Sequence, residues 1–502
     1  MIMMELFSHL ATGFTAAVSP INLMLCFVGV LTGTLIGVLP GIGPLATIAM
    51  LLPITFGLEP LSGLIMLAGI YYGAQYGGST TAILVNLPGE SSSIVTCLDG
   101  HQMAKQGRAG VALSIAALGS LFAGIFSTGV IAMFGPVLAN VANDFNSPEF
   151  FSLMLFGLVA AVIMARGSAS KAAAMIFLGL LLSLVGLDNT ANTFRYTFNL
   201  PALYEGVDIV AMSMGMIGLA EIIVVLEKKL APAGVVATTI RNLWPRKDDF
   251  RAAWPASLRG TALGSVLGLL PGGGGVLSSF ASYALEKRIS KTPERFGEGA
   301  IEGLAGPESA NNAGAQTSFI PMLTMGIPFN PIMALMMGAM LVHGITPGTA
   351  VMVRHPELFW GLVVSMLIGN FLLVLINLPL VGIWVRLLQV PYRYLFPSIV
   401  VFCCIGLYTV NFQTFDLIQL AIFTVFGYIL NKLRCEPAPF LIAFILGPQM
   451  EENLRRSMAL SRGDPSIFVT QPISLILLLM TLGLLILILF PKFRSNRERL
   501  FD

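Results

Sequence analysis

Apolar residues fall along this chain in runs, separated by short polar breaks. Sixteen runs can be marked, from 20–39 near the start to 472–491 near the end, the longest at 61–87, 109–140 and 356–388. A helix needs about 20 apolar residues to cross the ~30 Å hydrocarbon layer of a bilayer. Runs such as 44–58, 275–285 and 438–448 are shorter than that, and others are interrupted by Gly or Pro. The pattern predicts about 10–14 true spans together with broken or re-entrant helices.

Composition agrees with the pattern. Of 502 residues, 56% are hydrophobic and 11% charged, with a mean hydropathy of +0.83. A soluble domain carries roughly 25% charged residues. The expected fold is therefore an all-α polytopic membrane protein. The net charge of +2 points to no acidic partner, and no nucleic acid is expected. Cys26, Cys97, Cys403, Cys404 and Cys435 form no metal or disulfide pattern and read as small hydrophobes. The first Lys or Arg is Lys105, so a leader with a basic start is not expected.

Charge places the loops. The connection from Glu227 to Arg259 is rich in Lys and Arg, as is the loop from Glu286 to Glu302. Basic loops at span ends stay on the cytoplasmic side, as should the cluster Lys492, Arg494, Arg497 and Arg499 after the last run. With both loops on one side, residues 260–285 must enter and return as a hairpin. The expected division is a first transmembrane repeat at 20–230, a cytoplasmic linker at 231–254 and a second repeat at 255–490.

The two halves carry one design. "GTLIGVLPGIG" at Gly33–Gly43 is echoed by "GSVLGLLPGGG" at Gly264–Gly274, at an offset of 231. "GAQ" at Gly73–Gln75 recurs at Gly314–Gln316, at an offset of 241, and each GAQ is followed by a proline break, at Pro88 and at Pro328. Paired broken helices in two halves are a signature of secondary transporters. Lipid cannot satisfy free backbone groups, so a break at membrane depth must border protein or a watery cavity. A half-helix starting there aims N–H groups and partial positive charge into the cavity, where a carboxylate can bind without Arg or Lys. Whether the repeats are inverted depends on a span count that hydropathy leaves open.

The expected substrate contacts are the glycines Gly41, Gly43, Gly89, Gly272, Gly273 and Gly274, with Thr80, Thr81, Asn86, Ser91, Ser92 and Ser93 from the first half. The second half offers Ser309, Asn311, Asn312, Gln316 and Thr317. A Na⁺ could lie near Gly41, Asn86, Asn311 and Asn312. Glu90 and Glu308 read as helix-start or water-facing carboxylates, with a cation-ligand or proton-carrier role as the alternative. "CLDGHQMAKQGRAG" (Cys97–Gly110), with Asp99, His101, Lys105 and Arg108, reads as a solvated loop or a docking surface. "DNTANTFRYTFNLPALYEGVD" (Asp188–Asp208) reads as a polar, aromatic connection that packs on the cavity or meets a partner. His343 reads as structural, with a proton relay as the alternative, and His355 as a loop residue before Pro356. No Ser/His/Asp grouping, HExxH, CxxC or Walker lysine is present, so an enzyme is not expected.

The motifs "GVLPGIGP", "YGGSTTAILVNLPGESSS", "LPGGGG" and "GPESANNA" together resemble the large membrane subunit of tripartite tricarboxylate transporters, the TctA family, over roughly residues 20–490. The resemblance implies a multi-pass subunit of the bacterial inner (cytoplasmic) membrane. It also implies two partners, a small four-span membrane subunit and a periplasmic solute-binding protein. Citrate or a related organic carboxylate would be imported on a Na⁺ or H⁺ gradient, with no cofactor beyond the coupling ion. The family's signature stretches fall here on Gly37–Gly43, Gly73–Ser93, Gly268–Gly275 and Gly306–Pro328. A passive organic-anion channel with re-entrant half-helices is the alternative, since channels use such elements too.

Overall fold

The structure, a computed structural model, describes residues 2–39, 42–142, 144–165, 168–188, 191–227, 243–270, 274–388 and 392–489. Helices form where the apolar runs predict them. After α1 (Ile2–Ala17), α2 (Pro20–Gly37) runs to a break, and α3 (Pro44–Leu51) restarts and ends in a 3₁₀ turn. Next, α4 (Pro60–Val85) runs to a second break, after which α5 (Ile94–Met103) restarts. A π-helical turn, with Gly107 at φ +80°, leads into α6 (Ala109–Ala142), followed by α7 (Ser147–Met164) and α8 (Ala169–Ser183). A two-stranded antiparallel ribbon, β1 (Gly186–Asp188) with β2 (Thr193–Arg195), precedes α9 (Ile209–Ser213) and α10 (Ala220–Glu227).

The same order then returns. It comprises α11 (Lys247–Leu267), α12 (Gly274–Ile289), α13 (Ile301–Thr317), α14 (Phe319–Met325), α15 (Pro331–Val342), α16 (Thr349–Arg354) and α17 (Pro356–Asn377). The chain closes with α18 (Val381–Leu387), α19 (Tyr392–Asn411), α20 (Thr414–Lys432), α21 (Ala438–Leu460), α22 (Ile467–Thr470) and α23 (Pro472–Leu489). Among the described residues, five helical stretches have both the length and the hydropathy of a span: 20–37, 94–142, 209–227, 356–377 and 414–432. Shorter apolar helices at 44–55, 147–163, 169–183, 331–342, 396–409 and 472–488 accompany them. The protein is an all-α polytopic membrane protein, and the small ribbon is the one β element among the described residues.

Glycine spacing sets the packing. Gly29, Gly33 and Gly37 on α2 lie directly against the backbone of Met66, Ile70 and Ala74 on α4. A Cβ on Gly73 would come within 2.5 Å of the Val30 carbonyl, and one on Gly77 within 2.6 Å of the Thr34 carbonyl. In the second half Gly260, Gly264 and Gly268 on α11 meet Gly306, Ala310 and Gly314 on α13 in the same way. Small residues every fourth position let helix backbones touch, which is how association proceeds where lipid removes the hydrophobic drive. Both seams run with numbering rising on both helices, so α2 is parallel to α4 and α11 to α13. The helix between each pair must therefore return, and α11–α12 is the expected hairpin.

The two seams point opposite ways. Along α4 and α13, Tyr71 and Tyr72 meet Phe319 with ring centroids 6.4 and 6.2 Å apart, Gln75 meets Asn311, and Ser79 meets Glu308. Numbering rises on one helix as it falls on the other, so α4 and α13 are antiparallel. The repeats are inverted. Their registers also refine the sequence comparison: the seam on α13 and the breaks after it match the first half at 240 positions, not the 241 of the GAQ triplets. Asn86 and Gly326, the left-handed caps at φ 58° and 71°, obey that offset, as do Pro88 and Pro328.

The halves exchange a helix. From the first half, α6 packs on α11 and α13, where Asn312 Nδ2 donates to Ser120 Oγ at 2.6 Å and Thr128 Oγ1 to Gln316 Oε1 at 3.1 Å. From the second, α17 packs on α2 and α4, with Asn377 Nδ2 reaching Thr34 Oγ1 at 3.4 Å. In space, the 20–230 and 255–490 stretches are interlocked rather than side by side.

Two polar stretches are more ordered than their sequences predict. Cys97–Gly110 is a solvated turn only at Lys105–Gly107: residues 94–103 are helical, and Asp99 is fully buried. Its Oδ1 accepts the backbone N–H groups of Gly297, Gly299 and Ala300 at 2.9, 2.8 and 2.7 Å, capping the entry to α13. His101 donates from Nδ1 to the Ile83 carbonyl at 2.9 Å, while Arg108 pairs with Asp249. The Asp188–Asp208 connection folds as the ribbon, tied down by Arg195 to Glu451 at 2.8 Å and Arg455 to Asp188 at 3.0 Å. The helix α1, which the hydropathy reading passes over, packs on α17, with Gly13 against the Trp360 backbone.

Replacing Gly33 or Gly264 with Leu should force the seam open, at an overpacking cost of about 1–3 kcal/mol or more. A thermal melt in detergent should show each variant well below wild type. Gly57→Ala, where an added Cβ meets nothing within 4 Å, should melt unchanged.

Candidate functional site

Each break is built by its local sequence. Gly43 caps α3 and Pro44 occupies its first turn, where the missing N–H costs nothing. At the end of α4, Asn86 takes the left-handed conformation that terminates a helix, and its N–H closes on the Ala82 carbonyl at 3.2 Å. Gly326 ends α14 in the same way. Asn330 then caps α15, accepting the Met333 N–H at 2.9 Å, with Pro331 in the first turn. Four half-helices, α3, α5, α12 and α15, thus begin at breaks.

The breaks of each half come together. A Cβ on Gly43 would sit 3.5 Å from the Gly89 carbonyl and 3.6 Å from Glu90 Cβ, while Gly89 lies against Gly78 and the Gly37 carbonyl. In the second half a Cβ on Gly274, at φ +72°, would sit 3.3 Å from Asn330 Nδ2, and one on Gly314 2.9 Å from the Gly274 carbonyl. One residue joins the two clusters. Asn311 donates from Nδ2 to Glu90 Oε1 at 3.1 Å, accepts from Gln75 Nε2 at 3.3 Å, and lies against Gly275 beside the second tip. The residue is 1% exposed and touches the turn before α5 and the start of α12, which in turn lie against the starts of α3 and α15.

The expected contact residues separate into groups. Gly43, Gly89, Ser92, Gly274 and Asn311 converge at the centre. Ser92 donates to Glu90 Oε1, and Ser93 both donates to the Glu90 carbonyl at 2.9 Å and accepts its N–H at 3.2 Å. These serines thereby fix the turn around Glu90, and Ser91 beside them is half-buried. Thr80 and Asn312 lie one layer away, around Glu308 and Ser120. Ser309 and Gln316 face α6, at Gly119 and Thr128. Thr317 packs into the α11–α13 seam at Gly268. Thr81 donates to the Val38 carbonyl at 2.7 Å, satisfying an acceptor freed by the first break. Asn86 is exposed and serves as a backbone cap, so a substrate contact through its side chain does not fit its place. Gly41, Gly272 and Gly273 lie outside the described residues.

Glu308 is not a water-facing carboxylate. It is 2% exposed, receives hydrogen bonds from Ser79 at 2.9 Å and from Thr96, and has no cationic partner among the described residues. Ser79, Thr96, Ser120 and Asn377 surround it, and the sequence reading passed over them. A signal for Asn377 was present: Asn370 and Asn377 lie two turns apart on one face of an otherwise apolar helix, and polar groups inside a span are expensive unless used.

With this geometry in hand, comparison with known proteins decides the lineage. A model of the tripartite tricarboxylate transporter TctA family matches residues 23–442. The chain belongs to the TctA family. It is also similar, at 55% identity over 99% of both chains, to the uncharacterized 52.8 kDa protein in the TAR-I ttuC' 3' region of Agrobacterium vitis. A second A. vitis protein, in the TAR-II ttuC' 3' region, is 57% identical over 47% of this chain and 98% of its own length. No solved structure matches the chain. As a TctA-family member it is a large membrane subunit of a tripartite transporter, a multi-pass protein that works with partner subunits, and its family carries transport rather than catalysis.

Thr81→Val should leave the Val38 carbonyl without a partner and cost about 1–3 kcal/mol in a detergent melt. Asn86→Gly, which keeps the left-handed cap, should stay within a few tenths of a kcal/mol of wild type.

Proposed function

We propose that the chain is the carrier subunit of a binding-protein-dependent secondary transporter of the bacterial inner membrane. It imports citrate, another tricarboxylate or a related organic carboxylate by Na⁺ or H⁺ symport. The observation that carries the proposal is that Asn311 links two pairs of half-helix starts, α3 with α5 and α12 with α15. Their free N–H groups and aligned dipoles favour an anion without a basic side chain. Inverted repeats with broken helices at their interface support alternating access, in which one repeat rocks against the other around a fixed site.

Glu90 has a place in this account. Its carboxylate holds the Ser92 hydroxyl and the Asn311 amide, the same donors an entering substrate carboxylate would use. Substrate therefore competes with Glu90 for them, and the site does not offer bare donors to small anions. A four-span membrane subunit and a periplasmic solute-binding protein complete the system, the latter delivering substrate. The repeats divide near the basic linker at 231–254, which lies on the cytoplasmic side in this reading.

Uptake of radiolabelled citrate into proteoliposomes holding the chain, its small subunit and a cognate binding protein tests the proposal. Accumulation against a gradient, dependent on the binding protein and on an imposed Na⁺ or pH gradient, is expected. Downhill equilibration without ion dependence would instead support an organic-anion channel. Within a working system, Asn311→Ala should weaken substrate affinity by about 1.5–3 kcal/mol, the scale of a hydrogen bond to a charged group, and Ser92→Ala by about 1 kcal/mol. Unchanged affinity in both variants would move the anion away from these tips.

A further inference from the structure

The cavity beside Glu308 does not belong to the cluster of half-helix tips. It is small, about 20 Å³, room for one ion or water, and is lined by Tyr76, Ser79 and Thr80 of α4, Ser120 of α6, Glu308 of α13 and Asn377 of α17, with apolar residues completing the wall. Its polar groups are oxygens, and several are not used up by the protein. Asn377 is 6% exposed and donates from Nδ2 to the Leu373 carbonyl at 2.9 Å and to Thr34 Oγ1 at 3.4 Å. Those bonds fix the amide's orientation and leave Oδ1 buried with no partner. Thr80 donates to the Tyr76 carbonyl at 3.0 Å and keeps its lone pairs. Ser120 accepts from Asn312 and retains a second lone pair.

A buried carboxylate and an orphaned amide oxygen are each expensive alone. One species removes both costs. We propose that this cavity is the site of the coupling cation, a single monovalent ion of the Na⁺ type. It is held by the Glu308 carboxylate, Asn377 Oδ1 and the hydroxyl oxygens of Ser79, Thr80 and Ser120. Hard cations take oxygen ligands of this kind, and one carboxylate balances one positive charge. A proton on Glu308 would neutralise the carboxylate but would leave Asn377 Oδ1 orphaned.

The location explains how such an ion would couple to substrate. The cavity is walled by all four helices that lock the halves together, so a bound cation favours the arrangement in which they meet. Glu308 also lies one helical turn from Asn311, the residue that joins the tips. Occupancy of one site is thereby felt at the other through α13, and coupling of this kind is reciprocal. This inference rests on the carboxylate-import reading for the ion's role, but the binding site itself can be tested without any carboxylate.

The test is a titration of the purified full chain in nanodiscs with NaCl at constant ionic strength in choline, following the melting temperature, alongside direct binding of ²²Na⁺. Wild type should show a saturable rise in melting temperature and matching ²²Na⁺ binding. Glu308→Gln should abolish both, and Asn377→Ala should raise the half-saturating Na⁺ concentration at least tenfold. Should Glu308→Gln fail to fold, Asn377→Ala carries the test. Na⁺ binding unchanged in either folded variant overturns the site. Wild-type stabilisation that follows pH and ignores Na⁺ overturns the cation in favour of a proton. If Na⁺ binding needs Glu308 but no carboxylate is taken up with the partners present, the site stands and the import reading falls.

Discussion

A helix in a bilayer can be interrupted only where something other than lipid receives the freed backbone groups. This protein breaks its helices repeatedly, so it must supply such receivers at membrane depth. It does so by bringing backbones into contact along two glycine seams. Gly37 at the end of one seam and Gly268 at the end of the other stand at the breaks themselves. The seam delivers the break to a neighbouring helix, whose side chains then cover it, as Thr81 covers the Val38 carbonyl. Remove the close approach and the broken ends would face hydrocarbon.

From the seams the rest follows in order. Parallel pairing within each half forces a returning helix between the pair, and the return places two breaks of each half side by side. Antiparallel crossing of α4 and α13 then sets the two pairs of breaks around one amide. The long helices α6 and α17 close the sides by crossing to the other half, and the polar layer around Glu308 is buried where they cross.

Much of this could be read from the residues. The spans, the breaks at Pro88 and Pro328 and the duplication all leave marks in local composition and spacing, whereas the convergence on Asn311 does not. What escaped did so because its cause is distant in sequence. Asp99 and His101 read as loop because nothing nearby reveals that the partners of Asp99 lie some two hundred positions on, at Gly297–Ala300. The direction of the repeats is likewise a property of contacts such as Ser79 with Glu308, not of any motif. The GAQ triplets misled by one residue: aligning them rotates one helix by about 100° relative to its true counterpart, whereas the left-handed caps at Asn86 and Gly326 keep the register. Thr81, Thr317 and Asn86 looked like ligands because hydroxyls and amides near a break serve equally well to hold the break together.

The exchanged helices bear on how the protein is made. Ser120 and Thr128 on α6 find their partners on α13, at Asn312 and Gln316. A ribosome adding ~5–20 residues per second needs roughly 10–40 s to travel from one to the other. Through that interval α6 is in the membrane with a row of hydroxyls and no second half to meet them. The nascent first half is an unfinished structure by design, kept soluble in lipid by the insertion machinery or by its own temporary pairings until the later helices thread in beside it. Synthesis and assembly of this protein are therefore one event, completed only when α17 has closed over the first seam.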